Sequence, residues 1–484
     1  MNNHVWLIYP PGDMYQRGED RCQGSIDKSS ATSMRAANDL GYAASVLKQS
    51  GYDVFLKDYQ TEKLSMQSME DDLRKYKPSI VMVSVTNATI FDDIKVASKI
   101  KNISGAKIIL KGAIFFDASK EVLDELDLSN IDFLIGGEVE FSIGKIADYL
   151  YENKGKVEEI PNIFFKNQSS EFIKTRFGLW EQDLDSIPFP DRELMNNSLY
   201  VRPDTGEAMA TIQTSRGCSA ACTYCLSPII SGKKIRHRSP ENVLKELEDC
   251  YFNHGIKNFF FKSDTFTMNK DWVISLCKMI ISSPLNGKIA FTANSRTNPL
   301  SLEALQYMKQ AGCFMVAYGF ESGSDETLIK IKKGATASHN LNAAKITKKA
   351  KLPFYGFFMI GFPWETKKHL EATKKHIFEI NPDFLEIHIV LPYYGTEFYD
   401  TCQEHGTLKK DILGSNYFES GIIGTETLTI EELTAFRDSI TKKFYLRPTY
   451  LFKKLFNCIK NPQLFPGYFK YGYRLLRNLF RRQK

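Results

Sequence analysis

Across 484 residues no stretch approaches the roughly eighteen uncharged apolar residues that a membrane span needs. The start, MNNHVWLIYPPGD, lacks a basic region followed by an apolar core and a small-residue cleavage site, so a secretory signal is not expected. Nine cysteines are spread too unevenly for a secreted disulfide framework, which favours a reducing cytoplasm. From Lys443 to Lys484 there is no Asp or Glu, while six Lys and five Arg are present. Those eleven charges exceed the net +6 of the whole chain and leave the rest at about −5. The main body therefore has no basic surplus with which to bind nucleic acid.

What is present is alternation. Short apolar runs at 4–10, 52–59, 79–86, 106–113 and 131–137 are separated by amphipathic segments such as 40–51 and 94–105, each closed by Gly. Repeated strand-helix units predict an α/β fold whose first domain, 1–155, is a Rossmann-like, doubly wound parallel sheet. Its ligand site is expected at the strand carboxyl ends, on the loops after Pro10, Val85, Gly112 and Gly136. A hairpin over 163–177 and a proline-bearing stretch over 184–195 make 156–205 a junction. Six further units across 206–400 predict a partial (βα)6 barrel of the TIM type, with its chemistry at the strand carboxyl ends. A mainly helical extension, 401–484, completes the chain.

The stretch TSRGCSAACTYCLSP, residues 214–228, follows the first barrel strand and holds Cys218, Cys222 and Cys225. Structural zinc sites usually take two ligand pairs, and Cys222 with Cys225 is one pair, with Cys250 and His237 as the nearest further candidates. A thioredoxin-like dithiol would leave Cys218 unused. Three thiolates can instead hold three irons of a cubane 4Fe-4S cluster and leave the fourth iron open to a ligand.

CSAACTYC resembles the C-x3-C-x2-C signature of the radical S-adenosylmethionine enzymes. That resemblance implies a cluster that passes one electron into S-adenosylmethionine to give a deoxyadenosyl radical. RSPENVLKELE, FKSDTFTMNK, ANSRTN, GFESGSDETLIKIKKG, FMIGFPWET and LPYYGTEFY resemble the subgroup that joins a cobalamin-binding domain to the radical domain, with anaerobic magnesium-protoporphyrin monomethyl ester cyclase and the hopanoid methylases among its members. The likeness runs from about residue 4 to residue 450. It implies that Tyr224 lies near the adenine and that Asp264, Ser295, Arg296 and Glu321 contact the methionine or ribose parts of S-adenosylmethionine. Acceptors suit an ammonium and ribose hydroxyls, and Arg suits a carboxylate. Arg296 with Glu321 could equally form an interior ion pair, Asp264 could cap the helix beginning near Asn269, and GFP at 361–363 could be a tight turn.

Some cobalamin modules carry D-x-H-x-x-G after the first strand; here DMYQRG sets Asp13 and Gly18 in that register with Tyr15 in the His position, a poor cobalt ligand. Members of the subgroup commonly lack that His. Ser84, Thr86, Gly136, Gly137 and Glu138 are placed to bond the nucleotide tail, with a weaker contact expected at Gly112. A Rossmann-like domain without a ligand is the competing reading.

The tail has Leu451, Phe452, Leu455, Phe456 and Ile459 on one helical face, and Lys470, Arg474, Arg477 and Arg481 in a second stripe. It fits either an anionic membrane surface, at the inner face of the membrane, or a cap on the barrel. The function expected is methylation of an unactivated carbon in a hydrophobic, lipid or natural-product substrate, with an external electron donor such as ferredoxin or flavodoxin. A radical cyclase or oxidoreductase, and a cobalamin-binding sensor with a structural cluster, are the alternatives.

Overall fold

The apolar runs of the first third become strands covered on both faces. In the computed structural model, which describes residues 3–17, 24–26, 34–408, 412–415 and 421–481, β1 (His4–Tyr9), β2 (Asp53–Asp58), β3 (Ile80–Ser84), β4 (Lys107–Lys111) and β5 (Phe133–Ile135) run parallel in the order β2-β1-β3-β4-β5. β1 shows why this sheet reads as apolar without alternation. Val5, Leu7 and Tyr9 enter the hydrophobic layer on one face, while Trp6 and Ile8 enter the layer on the other. The hairpin expected in the junction forms from β6 (Ile163–Lys166) and β7 (Phe172–Lys174), and it continues the same sheet antiparallel beyond β5.

The second sheet follows chain order. β8 (Met209–Gln213) is followed by a short antiparallel pair, β9 (Ser215–Arg216) with β10 (Arg236–His237). Then β11 (Asn258–Lys262), β12 (Ala290–Ser295), β13 (Cys313–Glu321), β14 (Phe354–Ile360) and β15 (Phe384–Ile389) extend β8 into six parallel strands. Helices between successive strands fill the outer layer, and their apolar stripes, with the strands' outward side chains, form one large core. Six strands do not close a barrel, so β15 has an edge. The C-terminal helix Ile430–Tyr445 covers it, placing Leu433, Ile440 and Phe444 in the barrel core. The Tyr445 hydroxyl accepts from Leu385 N–H at 2.8 Å and donates to Leu385 C=O at 2.7 Å. One side chain thereby satisfies two backbone groups that an open edge would leave available.

The two sheets are held against each other by polar contacts from strand-end loops. Asn38 Nδ2 donates to Thr211 C=O at 2.8 Å. Asn87, after β3, donates to Ile412 C=O and accepts from Gly414 N–H, and Leu413 enters the core of the first sheet. The extension therefore touches both domains.

Candidate functional site

The cysteine loop begins with a backbone constraint. Gly217 has φ +86°, and a Cβ there would meet the Lys234 carbonyl at 2.2 Å, so only glycine lets the chain leave β9 at this angle. Cys218 N–H then donates to Gly232 C=O at 3.0 Å. Cys218 and Cys222 are buried, Cys225 is half-buried, and none forms a disulfide. All three line one cavity of about 200 Å³ at the carboxyl ends of the barrel strands. Among the described residues, no three His, Cys, Asp or Glu side chains are grouped as ligands of a single metal ion. The three sulfurs share one cavity, as ligands of a common group must.

Other strand ends supply the remaining polar wall. Asp264 after β11, Ser295 and Arg296 at the end of β12, and Glu321 at the end of β13 all line this cavity with Tyr224. Arg296 Nη1 donates to Cys222 Sγ at 3.4 Å. Arg296 does not need Glu321 as its partner: the Glu321 carboxylate takes Lys333 Nζ at 2.6 Å and the Tyr224 hydroxyl. Burial, then the neighbouring Glu321, holds the Tyr224 phenol well above its ordinary pKa. The interior Arg296–Glu321 pair is therefore replaced by two separate contacts. The cap of the helix Lys270–Ser282 is likewise not Asp264 but Asn269, which accepts from Trp272 N–H, while Asp264 accepts from the Ser227 hydroxyl at 2.9 Å. Ser295 bonds Thr267 side chain to side chain.

Lys333 is the residue that sequence reasoning missed. It lies twelve positions after Glu321 in KIKKG, where a run of lysines reads as solvated surface. Glu321 itself sits at φ +62°, a left-handed conformation uncommon for a residue other than Gly, Asn or Asp, next to a register shift between β13 and β14. The turn aims its carboxylate back over Gly319, where a Cβ would stand 2.3 Å from Glu321 Oε1. Glu365 is a second missed residue. Its carboxylate accepts from Gly361 and Phe362 N–H and from the Thr327 hydroxyl, so GFP is a turn clamped from within. Burial raises Glu365 to about 7. The opposite wall of the cavity, with Phe357, Met359, Leu391 and Tyr393, is largely apolar and includes His388, which burial pushes down to about 3.

The carboxyl edge of the first sheet is arranged differently. Gln60 accepts from Tyr15 N–H and donates to Tyr15 C=O, fixing the loop that carries exposed Asp13 and half-buried Tyr15. Gly18 lies outside the described residues. Arg17 is bidentate on Asp93 at 2.7 and 3.0 Å. The Ser84 hydroxyl donates to Asp39 at 2.8 Å, beside buried Lys111 and Tyr9 on the same carboxylate. Thr86 N–H donates to Asp93 at 3.3 Å. Gly112 packs against Val85, Gly136 against the Phe115–Phe116 backbone and Gly137 against Asn162. Glu138 bridges to the barrel: its carboxylate meets Arg236 at 2.5 and 3.1 Å and Arg216 at 3.3 Å, while Glu140 takes Arg216 at 2.5 Å. The side chains of Ser84 and Glu138 are thus engaged by protein groups. Arg35 lines both the barrel cavity and a smaller one of about 20 Å³ bounded by Tyr9, Asp39 and Gln213.

Comparison with known proteins bears on this geometry. The Radical SAM superfamily profile matches residues 212–377, from β8 to the helix before β15. The chain is 30% identical over 421 residues to an uncharacterized methyltransferase of Pyrococcus horikoshii, covering 86% of this chain and 89% of that one. It is 25% identical over 373 residues to the anaerobic magnesium-protoporphyrin IX monomethyl ester cyclase of Cereibacter sphaeroides, covering 75% and 60%. Among solved structures, the cobalamin-dependent S-adenosylmethionine radical enzyme OxsB with aqua-cobalamin and S-adenosylmethionine bound superposes with a TM-score of 0.71 at 16% identity, covering 96% of this chain and 72% of that one.

Proposed function

The chain belongs to the radical S-adenosylmethionine superfamily, related to its cobalamin-dependent methyltransferases and to the magnesium-protoporphyrin ester cyclases, and from that premise we propose that it methylates an unactivated carbon of a mainly apolar small molecule. One observation carries the reading. Three cysteines and polar groups from the ends of β11, β12 and β13 converge on a single cavity whose far wall is apolar.

Cys218, Cys222 and Cys225 would hold a 4Fe-4S cluster, with S-adenosylmethionine beside it and cobalamin between the two sheets, where Arg35 lines the cavities on either side. When bound, these groups supply one-electron and methyl-transfer chemistry that side chains cannot. The protein's own work is placement. Arg296 holds Cys222 through a hydrogen bond to its sulfur and presents its remaining N–H groups to a carboxylate. The Glu321 carboxylate, steadied by Lys333 and Tyr224, keeps an acceptor aimed into the cavity. Asp264, steadied by Ser227, offers a second. Phe357, Met359 and Leu391 present apolar surface to the substrate and exclude water from it. An external one-electron donor, such as ferredoxin or flavodoxin, completes the requirement. For cobalamin, support comes from the likeness in fold and from the fixed loop bearing Asp13 and Tyr15; the side chains of Ser84 and Glu138 and the N–H groups of Thr86, Gly112 and Gly136 are already bonded within the protein.

Anaerobically reconstituted, reduced protein supplied with S-adenosylmethionine, cobalamin and apolar candidate substrates is expected to yield a product heavier by one methylene, with S-adenosylhomocysteine. Deoxyadenosine without S-adenosylhomocysteine would instead support the cyclase type, which the cyclase relative keeps open. No cleavage of S-adenosylmethionine would leave a sensor.

A further inference from the structure

The helices Pro448–Lys460 and Phe465–Arg481 present two different faces. Their inner faces belong to the barrel. Tyr450 donates to Asp383 C=O at 3.0 Å, Lys454 Nζ lies 3.7 Å from the Phe384 ring centroid, and Tyr468 packs edge-on against the same ring. Asp383 and Phe384 mark the amino end of β15, so the helices dock at the end of the barrel opposite the cavity. The cap expected from sequence is this inner face.

The outer faces have no such cover. Phe452 is 72% exposed, Ile459 69%, Phe469 68% and Tyr473 63%, with Leu451, Leu455, Phe456 and Phe465 also exposed. At 100° per residue the apolar positions of the first helix fall within one arc, bordered on one side by Lys460 and by Lys453, which pairs with Asp383 at 2.7 Å, and those of the second fall within another, bordered on the same side by Lys470 and Arg477. Arg474 reaches back to Ile26 C=O, and the side chain of Arg481 lies outside the described residues. Large apolar side chains clustered on a surface mark an interaction site rather than ordinary exposure. The occupant follows from the charge: cations border both arcs along one side and the sequence from 443 onward has no carboxylate side chain, so the complementary surface is apolar with an anionic edge. Among the described residues no helix is long and apolar enough to cross a membrane.

We propose that these two helices lie in the interface of an anionic phospholipid bilayer, with Phe452, Ile459, Phe469 and Tyr473 among the acyl chains and Lys460 and Lys470 at the headgroups. Because Tyr450, Lys454 and Tyr468 dock at the amino end of β15, the first helix and the start of the second meet the bilayer away from the cavity mouth.

The test is flotation of full-length protein with vesicles of phosphatidylcholine alone or of phosphatidylcholine with phosphatidylglycerol. Binding to the anionic vesicles is expected to exceed binding to the neutral ones by at least about 10-fold and to weaken in high salt. Phe452→Glu with Phe469→Glu should abolish it, and Lys460→Glu with Lys470→Glu should remove the preference for anionic lipid. Reductive cleavage of S-adenosylmethionine in solution should be unchanged in both variants, which separates this surface from the chemistry. Failure to float with anionic vesicles would overturn the proposal, as would flotation undiminished by the Phe variants. A wild-type dimer that those variants dissociate would assign the face to a second copy of the chain and overturn it equally.

Discussion

The first sheet and the barrel both gather polar groups at their strand carboxyl ends, yet they use them in opposite ways. At the edge of the first sheet, Ser84 is turned to Asp39, Arg17 to Asp93, and Glu138 to two arginines of the other domain. In the barrel, Cys218, Cys222, Cys225, Arg296, Asp264 and Glu321 surround a cavity of about 200 Å³. Position at a strand end is therefore enough to bring chemistry together and not enough to leave it available. What separates the two is whether the facing element brings a partner. β9 and β10 bring Arg216 and Arg236 to Glu138 across the domain boundary, whereas Glu321, Asp264 and Arg296 find Lys333, Ser227 and Cys222 within the barrel's own cavity wall and still border the open space.

The largest test of this contrast removes a proposed cluster ligand. Cys222→Ala is expected to leave the fold intact, because the side chain becomes smaller in a site that already has room, while S-adenosylmethionine cleavage falls by at least about 10³-fold and bound iron is lost. Iron content and turnover of the reconstituted protein check this, and a fully active variant would remove Cys222 from the ligand set. Next in size, Glu138→Ala takes the carboxylate from buried Arg236 and leaves Arg216 to Glu140 alone, and should cost about 3–5 kcal/mol in denaturant unfolding, with a smaller combined cost for Glu138→Ala plus Arg236→Ala. Unchanged stability together with lost cobalamin uptake would break the comparison, since Glu138 would then serve the ligand rather than the interface. The smallest effect belongs to His388. Its folded pKa of about 3 lies below the ordinary 6.5, so between those values the unfolded chain binds a proton that the folded one refuses. Stability should fall by about 1.4 kcal/mol for each pH unit lowered within that window, and His388→Gln should remove this share. Parallel pH profiles for wild type and variant would show His388 to be protonated in the folded barrel.

Much of the architecture is legible in the sequence because it is local. Apolar runs of five or six residues, Gly after helices, and the short spacing of the cysteines are each written within a few positions. What is not legible depends on partners far along the chain. Lys111 reads as a polar end to β4, yet it is 2% exposed because Asp39, seventy-two positions earlier, supplies a carboxylate. The Tyr445 hydroxyl finds Leu385 across sixty positions, and Ile412 meets Asn87 across three hundred and twenty-five. Lys333 was hidden for a different reason: a left-handed glutamate has no compositional signature, so nothing in GFES indicates that Glu321 turns back toward it.

Arg216 stands two residues before Cys218, and the carboxylates that hold it, Glu138 and Glu140, belong to the domain made first. On the ribosome the amino-terminal sheet is complete before the cysteine loop emerges. The anchor of that loop is thus waiting when it arrives, whereas the helix that covers β15 is synthesised only after β15 itself. The chain is ordered so that the loop proposed to receive iron finds its support already made, and the barrel edge stays uncovered until a later segment follows it.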